Sequence, residues 1–205
     1  MSRKQIRETS RVLAVMAVLT LAVLAFVAVP DATGQEMTKA AYTAEFTDDG
    51  QLKVPPLGSW RNWPFIGTPV TPNDMNKGEA AFPEFHHVYM EPSAFAHYKK
   101  TGVFPEGTVI AKELVTVGTK KASSGRGYFE GEFNGFEIAH KSKKLYPKEP
   151  GNWAYYTFGH HAPPYEATTK AQPTANCATC HESLADEDMV FVQYYTNLRT
   201  AKPKK

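Results

Sequence analysis

The residues with chemistry in them are Cys177-Ala178-Thr179-Cys180-His181, which hold both cysteines of the chain. Two thiols separated by two residues, with a histidine directly after the second, form the C-x-x-C-H pattern of c-type haem attachment. The spacing answers to the chemistry. Thiols one short turn apart can each add to a vinyl group of one haem, and the following imidazole reaches the iron as proximal ligand. Other uses of the pentapeptide fit less well. A structural zinc site wants four Cys or His ligands, and the chain has no second cysteine pair. A thioredoxin-like pair sits at the start of a helix in a βαβ setting, and nothing upstream of Cys177 reads that way. A disulfide across so short a loop is strained, because bridged Cα atoms normally lie farther apart.

The chain opens with Arg3, Lys4, Arg7 and Arg11 against a single Glu8, then runs apolar over residues 12–29 to Pro30. With small residues around Ala32 and Gly34, residues 1–34 read as a secretory signal cleaved near Gln35. The apolar run is nearly long enough to span a bilayer, so an uncleaved anchor stays open. Either way the body is expected outside the cytoplasm, in the periplasm, where c-type haem is attached. Residues 35–205 are then one domain, large enough to bury a core. Lys plus Arg is 23 against 21 acidic residues, a net charge of +2, and no strong field points to nucleic acid. The lysines at 141, 143 and 144 and at 202, 204 and 205 read as solvated surface and a frayed tail.

The elements that must position the motif are strand-rich. Residues 35–71 carry Pro55, Pro56, Gly58, Pro64, Gly67 and Pro69 and read as irregular wrapping. A strand is expected over 84–90, and a helix from Glu91-Pro92-Ser93 to Thr101-Gly102, since Pro is tolerated in a first turn. Residues 108–117, β-branched and bounded by Gly107 and Gly118, are the best strand in the chain. Period two puts Ile110, Lys112 and Leu114 on one face, and Val109, Ala111, Glu113 and Val115 on the other, so Lys112 keeps apolar company. Residues 127–139 alternate as a further strand, with Phe129, Phe133 and Glu137 on one face beside Gly131 and Gly135, where something bulky could approach. Residues 152–158 add an aromatic strand. The expected fold class is α+β, a mainly antiparallel sheet with a few helices to one side.

The motif lies near the C-terminus, followed by little more than a short helix over 184–198. Met189 is too close in sequence to reach the far side of a porphyrin bound by His181. Met75 and Met90 are upstream candidates for a sixth ligand, though each is also ordinary core packing. An open sixth position is the favoured reading, which suits small-molecule chemistry better than bare electron transfer.

Residues 104–118, residues 127–133, the segment Glu149-Pro150-Gly151-Asn152-Trp153-Ala154-Tyr155, Phe158-Gly159-His160, and Phe191-Val192-Gln193-Tyr194-Tyr195 after the haem motif together resemble the cytochrome P460 family. The resemblance runs in order from about Tyr42 to Arg199. It implies a periplasmic, mostly β-sheet homodimer whose five-coordinate haem oxidises hydroxylamine to nitrous oxide, with nitric oxide as a by-product and a soluble c-type cytochrome as electron acceptor. It also implies a third covalent link, from a lysine nitrogen to a meso carbon of the porphyrin. The matching residue is Lys112. A lysine held dry on an apolar strand face would supply the free amine.

Hydroxylamine bound in the open iron position must lose protons, which calls for a base nearby. The candidates are Glu137, Glu130 and Glu132 on the second long strand and His86 or His87 on the earlier one. Some members of the family carry arginine where this chain has His86, and an imidazole there can still shuttle protons. His160 matches the family and suits a structural hydrogen bond, while His97 and His140 read as surface. A second reading comes from the related c′-beta cytochromes, which bind nitric oxide or carbon monoxide without catalysis, lack the lysine link and line the distal side with phenylalanine. The twelve Phe of this chain keep it open, and Lys112 argues for the enzyme.

Overall fold

The computed structural model describes residues 41–204, so the expected leader, residues 1–34, lies outside the described residues. Among the described residues no helix is long and apolar enough to cross a membrane. The strands are β1 (Leu52–Lys53), β2 (Phe65–Gly67), β3 (Phe85–Met90), β4 (Val109–Ala122), β5 (Gly125–Lys141), β6 (Trp153–Thr157) and β7 (Thr168–Thr169). The helices are α1 (Pro92–Thr101), α2 (Ala178–Leu184) and α3 (Thr196–Ala201). Strands β2 to β6 form one antiparallel sheet in sequential order, and β1 pairs with β7 in a small ribbon. This is the α+β, mainly antiparallel architecture expected from the sequence.

Each face of the sheet has its own cover. On one, Val88, Met90, Ile110 and Tyr155 pack against Ala94 and Tyr98 of α1, Ala178 of α2 and Leu198 of α3. On the other, Val109, Ala111, Phe136 and Ile138 pack against Leu52, Trp60 and Trp63 from the proline-rich N-terminal segment. These are the helix face and the wrap face. Period two along β4 sorts its residues between them as the sequence implies. Helix α1 is capped by the buried Glu91 carboxylate, which accepts from Ser93 N (3.0 Å) and Ala94 N (2.9 Å), and it ends on Gly102 at φ +72°.

Several expectations are corrected. Strand β4 does not stop at Gly118. There it runs so close to β5 that a Cβ on Gly118 would lie 2.8 Å from Gly131 Cα, and one on Gly135 would lie 2.9 Å from Leu114 Cδ1. These glycines admit neighbouring protein atoms, not a bulky guest. The single helix expected over 184–198 is broken into the end of α2, a bridge between Glu187 and Val190, a 3-10 turn at Val192–Tyr194, and α3. Asp188 and Met189 at φ +43° and +67° end any right-handed helix.

His140 is buried on the wrap face, not exposed, with Nδ1 2.9 Å from the Tyr146 hydroxyl, because β5 alternation turns it inward. Burial lowers its pKa to about 4. Lys141 is not solvated either: its ammonium donates to Gly151 O (2.7 Å) and Asp188 (3.0 Å) over the Trp153 ring. In the tail, Lys202 pairs with Glu187, which also accepts from Tyr98 Oη at 3.1 Å.

Candidate functional site

Cys177 caps α2, and Cys180 and His181 lie within it. The two thiols are not joined to each other. His181 sits between the rings of Tyr155 (4.3 Å) and Phe191 (4.6 Å). Its Nδ1 donates to the carbonyl of Met189 at 2.7 Å, and the same carbonyl accepts from Tyr155 Oη at 3.3 Å. The left-handed turn at Asp188 and Met189 thus fixes the imidazole tautomer and leaves Nε2 for a metal. Burial, reinforced by the positive charge of Lys112, holds His181 below the usual histidine range despite the Met189 bond. Sequence reasoning missed Met189 in this role, since a backbone carbonyl carries no residue signature.

Lys112, Glu137 and His86 come together on the helix face. Lys112 pairs in register with Glu137 of β5 and Val88 of β3, and His86 lies opposite Leu114, one alternation along. The Lys112 ammonium forms an ion pair with Glu137 and lies 4.3 Å from the centroid of the Phe82 ring. Its company is therefore a carboxylate and an aromatic ring, not the purely apolar face read from β4 alone. The His86 Nε2 is buried and has no hydrogen-bond partner among the described residues. Burial first, then the charge of Lys112, lowers the His86 pKa to about 4, so the imidazole is a neutral acceptor. Burial, and after it the Glu137 charge, also pushes the Cys177 thiol up. The lysine–carboxylate pair and the cysteine motif therefore act on the same space.

Other candidates fall elsewhere. His87 is 2.7 Å from Glu130 on the wrap face, and Glu132 is exposed. Phe133 does not share a face with Glu137. Leu114 pairs with Gly135 but Val115 with Phe133, so Asn134 is an extra residue, a β-bulge that reverses the alternation. Phe133 consequently lies under the guanidinium of Arg61, 3.9 Å from it, on the wrap face. Met75 is 72% exposed and Met90 is fully buried in the core, so neither is presented as a ligand. His97 is exposed, as expected. His160 Nε2 lies 2.7 Å from the buried Glu84.

A helix bearing C-x-x-C-H, laid over an antiparallel sheet whose facing surface carries a lysine–carboxylate pair, defines the class: a β-sheet cytochrome. The family model described as Cytochrome P460 matches residues 58–192, well over half of the chain, and the chain belongs to that family. No curated protein matches it. The family is one of haem proteins, and the residues present fit such a group. They are two unbridged thiols, a tautomer-fixed histidine, and a buried His86 Nε2 that lacks a partner among the described residues.

Proposed function

We propose that this protein is an exported c-type haem oxidoreductase that oxidises hydroxylamine, with nitrous oxide as product and nitric oxide as by-product. The observation that carries the reading is the Lys112–Glu137 pair, whose charges reach His181. Haem held there would supply redox-active iron for the oxidation of a small molecule. In this reading the Cys177 and Cys180 thiols tether the group and His181 Nε2 ligates the iron. Lys112 is the residue that would carry the third covalent link, and with its nitrogen so engaged Glu137 would be left as an unpaired carboxylate beside the substrate. Glu137 and the neutral His86 then take the protons that hydroxylamine loses. A soluble c-type cytochrome receives the electrons, and a homodimer in the periplasm is the expected form.

Phe82 supports a second reading. Its ring lies against Lys112 and edge-on to His86 at 5.9 Å, a placement suited to capping a bound diatomic gas in a c′-beta-like binder. The absorption spectrum decides between them. Reduced holoprotein from a host that matures c-type haem is expected to show a Soret band far to the red of ordinary c-type haem, lost in Lys112→Leu. An ordinary five-coordinate spectrum, unchanged by that substitution, would favour the gas binder.

A further inference from the structure

Two residues before His86 in the chain stands a second buried group with an oxygen free for hydrogen bonding. Glu84 directly precedes β3, is almost fully buried, and has no partner for its Oε2 among the described residues. The other oxygen, Oε1, is held by His160 Nε2 at 2.7 Å and Asn134 Nδ2 at 2.9 Å. Asn134 is the bulge residue of β5, so the same irregularity that turns Phe133 away brings an amide to Glu84. Glu84 also lines a surface groove of about 270 Å³ with Pro72, Asp74, Pro83, Thr116 and Lys120. His160 is about half exposed at its side chain. The Phe82 ring stacks on His160 and meets His86 edge-on, so both histidines border one aromatic wall.

We propose that Glu84 is the proton exit of the site, taking the protons that His86 removes from substrate and releasing them to water in the groove. The proposal rests on the oxidative reading above only for the source of those protons. A substrate N–H or O–H bond breaks as an N–H bond forms at His86 Nε2. That bond breaks in turn as a bridging water takes the proton and passes one of its own to Glu84 Oε2, where O–H forms. The carboxyl then gives the proton to solvent, and no electron moves in the relay.

Burial acts to raise Glu84, yet the bonds from His160, its own backbone and Asn134 outweigh it and keep the carboxyl below the usual range. It is thus ionised between turnovers and gives up a proton readily. The charges facing His86 are Lys112 and Glu137 from β4 and β5, and those in the groove beside Glu84 are Asp74 and Lys120, paired at 2.6 Å.

The test uses ferric holoprotein, whose absorption is followed after a jump from neutral pH to about pH 4, where His86 titrates. Glu84→Gln is expected to slow the relaxation about ten-fold at unchanged amplitude, and to raise the solvent deuterium isotope effect on kcat with KM unchanged. Glu84→Asp, which keeps a carboxyl, is expected to restore most of the rate. Wild-type relaxation in Glu84→Gln, or no rescue by Asp, would overturn the proposal. If the Gln variant does not load haem, His160→Gln takes its place, and an unchanged rate there overturns it equally. Absence of hydroxylamine turnover in the wild type would remove the proposed function while the pH-jump result still decides the exit route.

Discussion

Two ion pairs start from adjacent residues of β4, one reaching the N-terminal wrap and the other the neighbouring strand β5, and they are built in opposite ways. On the wrap face, Glu113 is fully buried and accepts two bonds from Arg61, from Nε at 2.9 Å and Nη2 at 2.7 Å, with Phe133 beneath the guanidinium. On the helix face, Lys112 meets Glu137 through one contact, and each side chain is 23% exposed. A bidentate pair with both carboxylate oxygens occupied is a lock, because removing either partner strands a buried charge. A single-point pair at a partly open position exchanges partners at little cost. The difference separates a pair built to hold the wrap on β4 from one that can change partners.

The sharpest way to break that comparison is to remove one cation from each pair. Arg61→Ala is expected to destabilise the fold by about 3 kcal/mol by leaving Glu113 buried and unpaired. Lys112→Leu is expected to cost under about 1 kcal/mol. Urea denaturation of both variants measures this, and equal losses would erase the distinction. Next in size, Glu137→Gln keeps the shape of the helix-face site but removes the carboxylate proposed as its base. Hydroxylamine turnover is expected to fall about 100-fold with little change in melting temperature. A drop in stability without one in turnover would make the pair structural after all.

The smallest effect, as read near neutral pH, is one on the wrap face. His140 is held neutral in the fold, with a pKa of about 4 against an ordinary 6.5. Between those values the unfolded chain binds more protons, so stability rises with pH from about 4 to 6.5 and this contribution is complete above it. Over the last step, from about pH 6 to pH 7, the gain is under about 1 kcal/mol. In His140→Phe that part of the slope is expected to disappear from urea midpoints measured across the range, while the slope above it is unchanged.

Much of this is legible in the sequence because it depends on neighbours along the chain. Helix α1 is announced by Pro92 and Gly102, whose fixed or left-handed φ suits only its ends. The two faces of β4 follow from period two, and His181 from its place after Cys180. The alternation of β5 is not legible across Asn134, since a bulge is a property of two paired strands and neither sequence alone displays it. His140 reads as surface because a polar residue in a strand gives no sign of the Tyr146 hydroxyl that satisfies it.

By itself, then, the sequence determined the C-x-x-C-H motif and the period of each long strand, because both are set by spacing along one chain. Only the tertiary structure decided that Glu137, and not Glu130 or Glu132, meets Lys112, that Met189 supplies the carbonyl for His181, and that Glu84 joins His160 to the site. Those are contacts that spacing alone does not announce, and they are fixed by strand register, by one bulge and by a left-handed turn.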